Sequence, residues 1–320
     1  MPAAPQGSRR LSETMKDYIL CAGGTNLDIH AASLQKTVPF DSNPGNIHTS
    51  PGGVARNIAE NLSRLGFRTV LLSAVGQDAF GNTLIRDCGE NGIDASHLYR
   101  DAEHASSVYL DILDECGDLY VAVDDMEITD CLPVSYFKEN AALIREAAAV
   151  ILETNLSAKA IEAVCAIAEE GSVPVYADPV SAAKAPRLLP VLARLHFIKP
   201  NRLELSCLTG LPCNTEEEIR TALRVLLENG PEEICVSLGE KGCIYADRNG
   251  TLLTEKILHP AVMKNATGAG DSFCAGFAAA ELSGFGKKKC LDAGSLCSRL
   301  TVESEEAVSR LITPEILRRI

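Results

Sequence analysis

From Tyr18 to the C-terminus, apolar runs of strand length alternate with amphipathic runs of helix length, and that alternation limits the folds open to the chain. The segments DYILCAGG, RTVLLSAVG, AAVILET, VPVYADP, HFIKPN and EEICVSLG each end in turn-forming or polar residues. Between them lie GVARNIAENLSRLG, IEAVCAIAEEG and EEIRTALRVLLENG, with apolar residues at helical spacing and a glycine stop. Strand, helix and strand repeated in this way predict an α/β fold with a mostly parallel sheet covered on both faces. Ligands of such sheets sit at the carboxyl ends of the strands, so the polar residues there are the candidates for function.

Two stretches interrupt the pattern. Residues 28–50 contain no good helix, and residues 106–124 alternate apolar and polar around a turn at Glu115–Asp118, which reads as a β-hairpin. Together they predict a small β lid inserted in one core domain spanning 17–320, with residues 1–16 as a flexible extension. The apolar lid positions Val108, Leu110, Ile112, Leu119, Val121 and Val123 are too many for a solvated flap and predict a homodimer through the lid.

Several function classes fall away on composition. No apolar run reaches the roughly 18 residues of a membrane span, and the N-terminal stretch lacks a signal-peptide core, so a cytoplasmic protein is expected. A balance of 30 basic against 43 acidic residues, net −13, argues against nucleic acid as a partner. The only basic run, at 287–289, reads as a solvated helix face. The 12 cysteines are scattered, with no C-x-x-C pair and no Cys/His cluster at zinc spacing, which predicts reduced structural thiols and argues against a metal site.

The chemistry concentrates in KNATGAGDSFCAGFAAAEL, residues 264–282, where Thr267, Gly268, Ala269, Gly270 and Asp271 precede an apolar helical run. Glycines at a helix N-terminus expose backbone N–H groups to an anion. An aspartate there would repel that anion unless it accepts the proton of an attacking hydroxyl. The helix dipole and nearby amides are expected to keep Asp271 ionised at neutral pH. In the first half, Gly52 and Gly53 precede a helix carrying Asn57 near its start, and Asn26 and Asp28 follow the first strand. These residues are candidates for holding sugar hydroxyls.

GGVARNIAENLSRLG and NATGAGDSFCAGF resemble the two signatures of the ribokinase-like (phosphofructokinase-B) carbohydrate kinase family. KPNRLE at 199–204 and LGEKG at 238–242 resemble its intervening motifs, in the same order. The resemblance implies a three-layer sandwich and ATP-dependent phosphorylation of a hydroxymethyl group. It implies Asp271 as the base, with Gly268, Ala269 and Gly270 forming an anion hole, and Asp28, Gly53 and Asn57 on the sugar. It further implies Asn201 and Glu204 organising Mg2+ and phosphate, the metal contact of Glu204 being indirect. Ser237, Gly239, Gly242 and Thr267 would lie along ATP. Asn265 stands where the family has an aspartate associated with a monovalent cation, so K+ activation is not implied.

Within the family, DSNPGNIHTSPGGVARNIAENL, VAVDDMEIT and NATGAGD resemble the branch that phosphorylates the 5′-hydroxyl of pseudouridine. Asn43, Ser107, Asp125 and Met126, in or beside the lid, are the expected contacts for the base. Another sugar or nucleoside kinase of the same fold and a non-catalytic sugar sensor are the alternatives. A dinucleotide-binding dehydrogenase is disfavoured because no G-x-G-x-x-G follows the first strand.

Overall fold

A computed structural model describes residues 16–256 and 263–320. Most of the extension expected at 1–16 therefore lies outside the described residues; Lys16, its last residue, donates a hydrogen bond to the Gly171 carbonyl at 2.8 Å.

The chain opens with β1 (Ile19–Ala22), leaves in β2 (Asn26–Ser33) and β3 (Gly45–Gly52), and returns through a helix at Val54–Arg64 to β4 (Thr69–Leu72) and β5 (Ala74–Gly76). A helix at Ala79–Glu90 leads to β6 (Ile93–Asp94) and β7 (Tyr99–Asp101), followed by β8 (Val108–Leu113) and β9 (Leu119–Asp125). Strands and helices then alternate through β10 (Ala149–Glu153), β11 (Val175–Asp178), β12 (Phe197–Ile198) and β13 (Glu233–Ser237). The remaining strands are β14 (Cys243–Asp247) and β15 (Leu252–Glu255), and helices Ala269–Leu282 and Lys287–Val302 follow.

Nine strands form one sheet in the order β15-β14-β13-β12-β11-β10-β1-β4-β6. It is parallel from β13 to β6, and β14 and β15 are added antiparallel at one edge. Alternation along the strands sends side chains to two cores. Leu20, Val150, Leu152, Val175 and Ala177 pack with Ile161 and Val164 of the helix Ala158–Glu170. Ile19, Cys21, Ile151, Tyr176 and Phe197 pack on the opposite face with Ile58, Phe273 and Phe277. Helices on both faces make three layers, and several of them start at a side-chain cap. Ser157 caps Ala158–Glu170, and Thr215 with Glu218 forms a capping box on Glu216–Asn229.

The excursions β2–β3 and β8–β9 combine into a four-stranded sheet, β3-β2-β8-β9. Its register divides the faces. One row carries Ile47, Ala31, Ile112 and Val121, and the next carries Thr49, Ile29, Leu110 and Val123. Asp28, Ser50 and Tyr109 lie on the other face, as do His30 and Asp111, whose side chains pair at 2.6 Å.

Two expectations are corrected here. The basic run at 287–289 is not simply solvated: the Lys287 ammonium is half-buried and pairs with Glu233 and Glu281, because the helix start packs over the β13 end of the sheet. The antiparallel strands β14 and β15 extend the sheet where the sequence reading placed none. The cysteines are all unpaired, with Cys116, Cys131 and Cys207 exposed and the others buried. Among the described residues no helix is long and apolar enough to cross a membrane.

Candidate active site

The helix Ala269–Leu282 starts at Gly268, whose φ of 78° lies in the left-handed region. A Cβ there would stand 2.0 Å from the Ala307 carbonyl oxygen, so only glycine makes this turn. Asp271 sits in the first helical turn with 8% of its surface exposed. Its carboxylate accepts a hydrogen bond from Asn57 Nδ2 at 2.9 Å. The expectation that helix and amides keep this group fully ionised is corrected by its surroundings. Burial, reinforced by the nearby Asp178 carboxylate, raises its pKa to about 7, against the lowering effects of Asn57 and Lys199. The dipole argument assumes solvent beside the charge; here the solvent has been replaced by protein.

The orientation of Asn57 is determined by Arg56. This buried guanidinium pairs with Glu60 and with Asp87 at 2.8 Å, and it donates to Asn57 Oδ1 at 2.9 Å. Arginine has no acceptor, so the Asn57 oxygen must face Arg56 and the NH2 must face Asp271. One amide hydrogen of Asn57 is thereby committed to the aspartate, leaving one for a ligand hydroxyl.

The C-terminal ends of neighbouring strands complete the surroundings. Glu153 ends β10 in register with Asp178 at the end of β11. Glu153 is fully buried, accepts from the Gly24 amide and from the Asn155 amide at 2.6 Å, and burial pushes it up to about 7. Lys199, just past β12, pairs with Asp178 at 3.1 Å. Burial opposes its charge, yet the Asp178 carboxylate prevails and the ammonium is held. A Cβ on Gly270 would lie 3.1 Å from Lys199 Nζ, which places this cation beside the Gly-Ala-Gly loop. Lys199, Asp178 and Glu153 are the residues that sequence reasoning left unassigned. All three stand in quoted segments, AAVILET, VPVYADP and HFIKPN, and a polar residue directly after an apolar strand was the available signal.

Asp28 is buried in β2, where Asn26 Nδ2 donates to it at 2.5 Å and burial raises its pKa. Gly52 pairs across from Asn26, and a Cβ on it would stand 2.2 Å from Asp28 Oδ2. The glycine is therefore what admits the carboxylate. Gly53 begins the helix that carries Asn57. Ser107 is buried at the root of β8, and its hydroxyl has no partner among the described residues.

The remaining lid candidates lie outside this buried group. Asn43 is exposed, and its amide is engaged with Val38 and Asp41 of its own loop. Asp125 is exposed at the end of β9, and Met126 is half-buried at the head of the next helical turn.

Asn201 and Glu204 form a capping box on the helix Arg202–Thr209. Both Glu204 oxygens accept from Asn201, each at 2.8 Å. Ser237 bridges to Asn201 at the end of β13, and Gly239 and Gly242 bracket the turn into β14. Beside that turn lies a cavity of about 460 Å³ whose lining includes Arg202, Leu238, Lys241, Ile244, Thr254 and Lys256. Thr267 is exposed and donates its amide to Asn265 Oδ1 at 2.9 Å. Asn265 Nδ2 donates to the Glu305 carbonyl at 3.3 Å, so an N–H points at an oxygen where an aspartate would add negative charge.

This architecture, a mostly parallel sheet with a polar cluster at its strand ends and a second, four-stranded sheet, is a ribokinase-like fold. A carbohydrate kinase from Agrobacterium tumefaciens superposes with a TM-score of 0.83 at 26% identity, covering 95% of this chain and 96% of that one. The Arabidopsis thaliana ribokinase complexed with ribose and ATP gives 0.83 at 22% identity, over 95% and 98% of the two chains. Residues 16–314 match the profile of the pfkB family carbohydrate kinases, and the chain belongs to that family. It is also 32% identical to the pseudouridine kinase of Escherichia coli (strain K12), over 91% of this chain and 92% of that protein.

Proposed function

We propose that this chain transfers the γ-phosphoryl group of ATP to the 5′-hydroxyl of pseudouridine. The observation that carries the reading is the buried Asp271, poised at about 7 beside a glycine-rich helix start and oriented by Asn57. A base with a pKa near the working pH combines availability with proton affinity. The substrate hydroxyl oxygen forms the new bond to the γ-phosphorus, the bond to the β,γ-bridging oxygen breaks with its electron pair leaving on ADP, and the proton passes to Asp271. The amides at Gly268–Gly270 and the Lys199 ammonium face the charge that spreads over the transferring group. Asp28 and the free N–H of Asn57 hold the ribose hydroxyls, and the unpartnered Ser107 hydroxyl is available to a further polar group of the nucleoside. The similarity to the Escherichia coli pseudouridine kinase supplies the choice of nucleoside.

The cavity between the β13–β14 turn and the helix Arg202–Thr209, with Lys241 and Lys256 in its lining, is the proposed seat of ATP. When bound, Mg2+ would neutralise charge on the phosphates, and its preference for oxygen donors suits a carboxylate such as Glu204. Glu204, whose oxygens are both engaged by Asn201, would organise it only indirectly. We read the protein as a cytoplasmic homodimer, the partner covering the apolar lid face on which Ile47, Val121 and Val123 are exposed.

The test is ADP release measured with pseudouridine, uridine, adenosine, ribose and fructose phosphates. Pseudouridine is expected to give the highest kcat/KM. Equal values for pseudouridine and uridine, or a higher value for ribose, would remove the pseudouridine reading and leave a kinase. ADP release with none of them would remove the kinase reading too.

A further inference from the structure

His104 converges in the fold with Glu127 and Cys131, which come from a separate segment, one ligand atom of each lying within 4.8 Å of the others. Glu127 opens the helical turn Glu127–Asp130 and Cys131 is its C-cap, so the two share a face at a spacing of i, i+4. His104 comes from the segment between β7 and β8. Its imidazole donates to Asp101 Oδ2 from Nδ1 at 3.0 Å. Asp101 is in turn anchored by the amides of Glu103 at 2.7 Å and His104 at 3.2 Å. A carboxylate on one ring nitrogen fixes the tautomer and leaves the lone pair on Nε2, which is how metal-binding histidines are oriented.

We propose that these three side chains form a Zn2+ site, with Asp101 positioning the histidine and water completing the shell. The donor set decides the metal. Thiolate, imidazole and carboxylate together suit zinc, whereas Mg2+ and Ca2+ take oxygen ligands. Tetrahedral zinc places its ligand atoms about 3.5 Å apart, and Glu127 and Cys131, both exposed, can rotate to close the difference. On binding, the Cys131 thiol releases its proton to solvent. The other convergence of this kind among the described residues, His196 with Glu233 and Glu281, already holds a cation, the Lys287 ammonium.

The location gives the site a consequence. His104 lies on the chain entering the β8–β9 hairpin, and Glu127 and Cys131 lie on the chain leaving it. A bound ion ties the two roots of that hairpin together and restrains half of the lid. Zinc spacing in the sequence does not reveal such a site, because the third ligand arrives only when the hairpin closes.

The experiment is a Co2+ titration of the whole reduced protein, followed in the near-ultraviolet for thiolate-to-cobalt charge transfer, then competition with Zn2+. The band is expected to saturate at one Co2+ per chain and to bleach with Zn2+. It should vanish in Cys131→Ser and persist in Cys116→Ser and Cys207→Ser. Affinity should fall about 10- to 100-fold in Asp101→Asn, as for other residues that orient a metal-binding histidine, and at least tenfold in Glu127→Gln. No saturable band at millimolar Co2+, a band retained in Cys131→Ser, or a band lost with either control cysteine would overturn the proposal.

Discussion

The side-chain amide of Asn57 donates a 2.9 Å hydrogen bond to Asp271 Oδ2, joining the starts of two helices that lie 214 residues apart in the chain. That bond opposes the burial that raises the Asp271 pKa to about 7. A base must be unprotonated to accept, so kcat/KM should fall on the acid side of about pH 7. Asn57→Ala removes a bond that favours the charged form, so the acid limb should move to higher pH. At neutral pH, activity should drop about tenfold, the scale of one hydrogen bond to a charged group. Full pH–rate profiles of both proteins check this; an unmoved limb would contradict it.

The same burial bears on stability. The folded-state pKa of Asp271 lies above the unfolded value near 3.8, so the folded protein retains a proton that the unfolded chain has lost. Its contribution is fully present below about pH 4 and is lost as pH rises through about 7. Asp271→Asn carries no charge at any pH. Its Tm relative to wild type should rise between about pH 4 and 7 and level off above, as measured by calorimetry across that range. A difference independent of pH would show that the aspartate is not buried as described.

How legible this site was in the sequence depended on how local each feature is. Gly268, Gly270 and Asp271 sit within four residues at a helix start, so their conformational and chemical roles can be read from one segment. The lid strands were also legible, since alternation and turn residues lie side by side. Glu153, Asp178 and Lys199 come from the ends of three strands, and only the parallel register that aligns Glu153 with Asp178 brings them to Asp271. The protonation of Asp271 was misjudged for a related reason: the helix dipole is a local fact, whereas burial by other elements is not. The edge strands β14 and β15 were missed because the alternating pattern that guided the reading was that of parallel units.

Lys199 and Asp178 form a buried pair beside Asp271 and Gly270. Lys199→Met would strand the Asp178 charge beside two further carboxylates, and should cost about 3–5 kcal/mol in urea unfolding. The double variant with Asp178→Asn should lose less than the sum of the single losses. Additive losses would mean the two side chains do not act as a pair.

The apolar face of the lid predicts assembly. Val121→Glu and Val123→Glu place charges on exposed positions of that face. Both variants should convert a dimer to a monomer in light scattering at micromolar concentration, with reduced kcat/KM. A monomeric, fully active wild-type protein would contradict the dimer.

The central claim is that Asp271 takes the proton of the attacking hydroxyl. Asp271→Asn preserves the shape and removes the base, so kcat with ATP and pseudouridine, measured alongside nucleoside binding by titration, tests it most directly. The account predicts a fall in kcat of about 10²- to 10⁴-fold, with nucleoside affinity changed by less than about tenfold. Wild-type kcat in Asp271→Asn would contradict it and leave the aspartate as a residue that merely starts a helix.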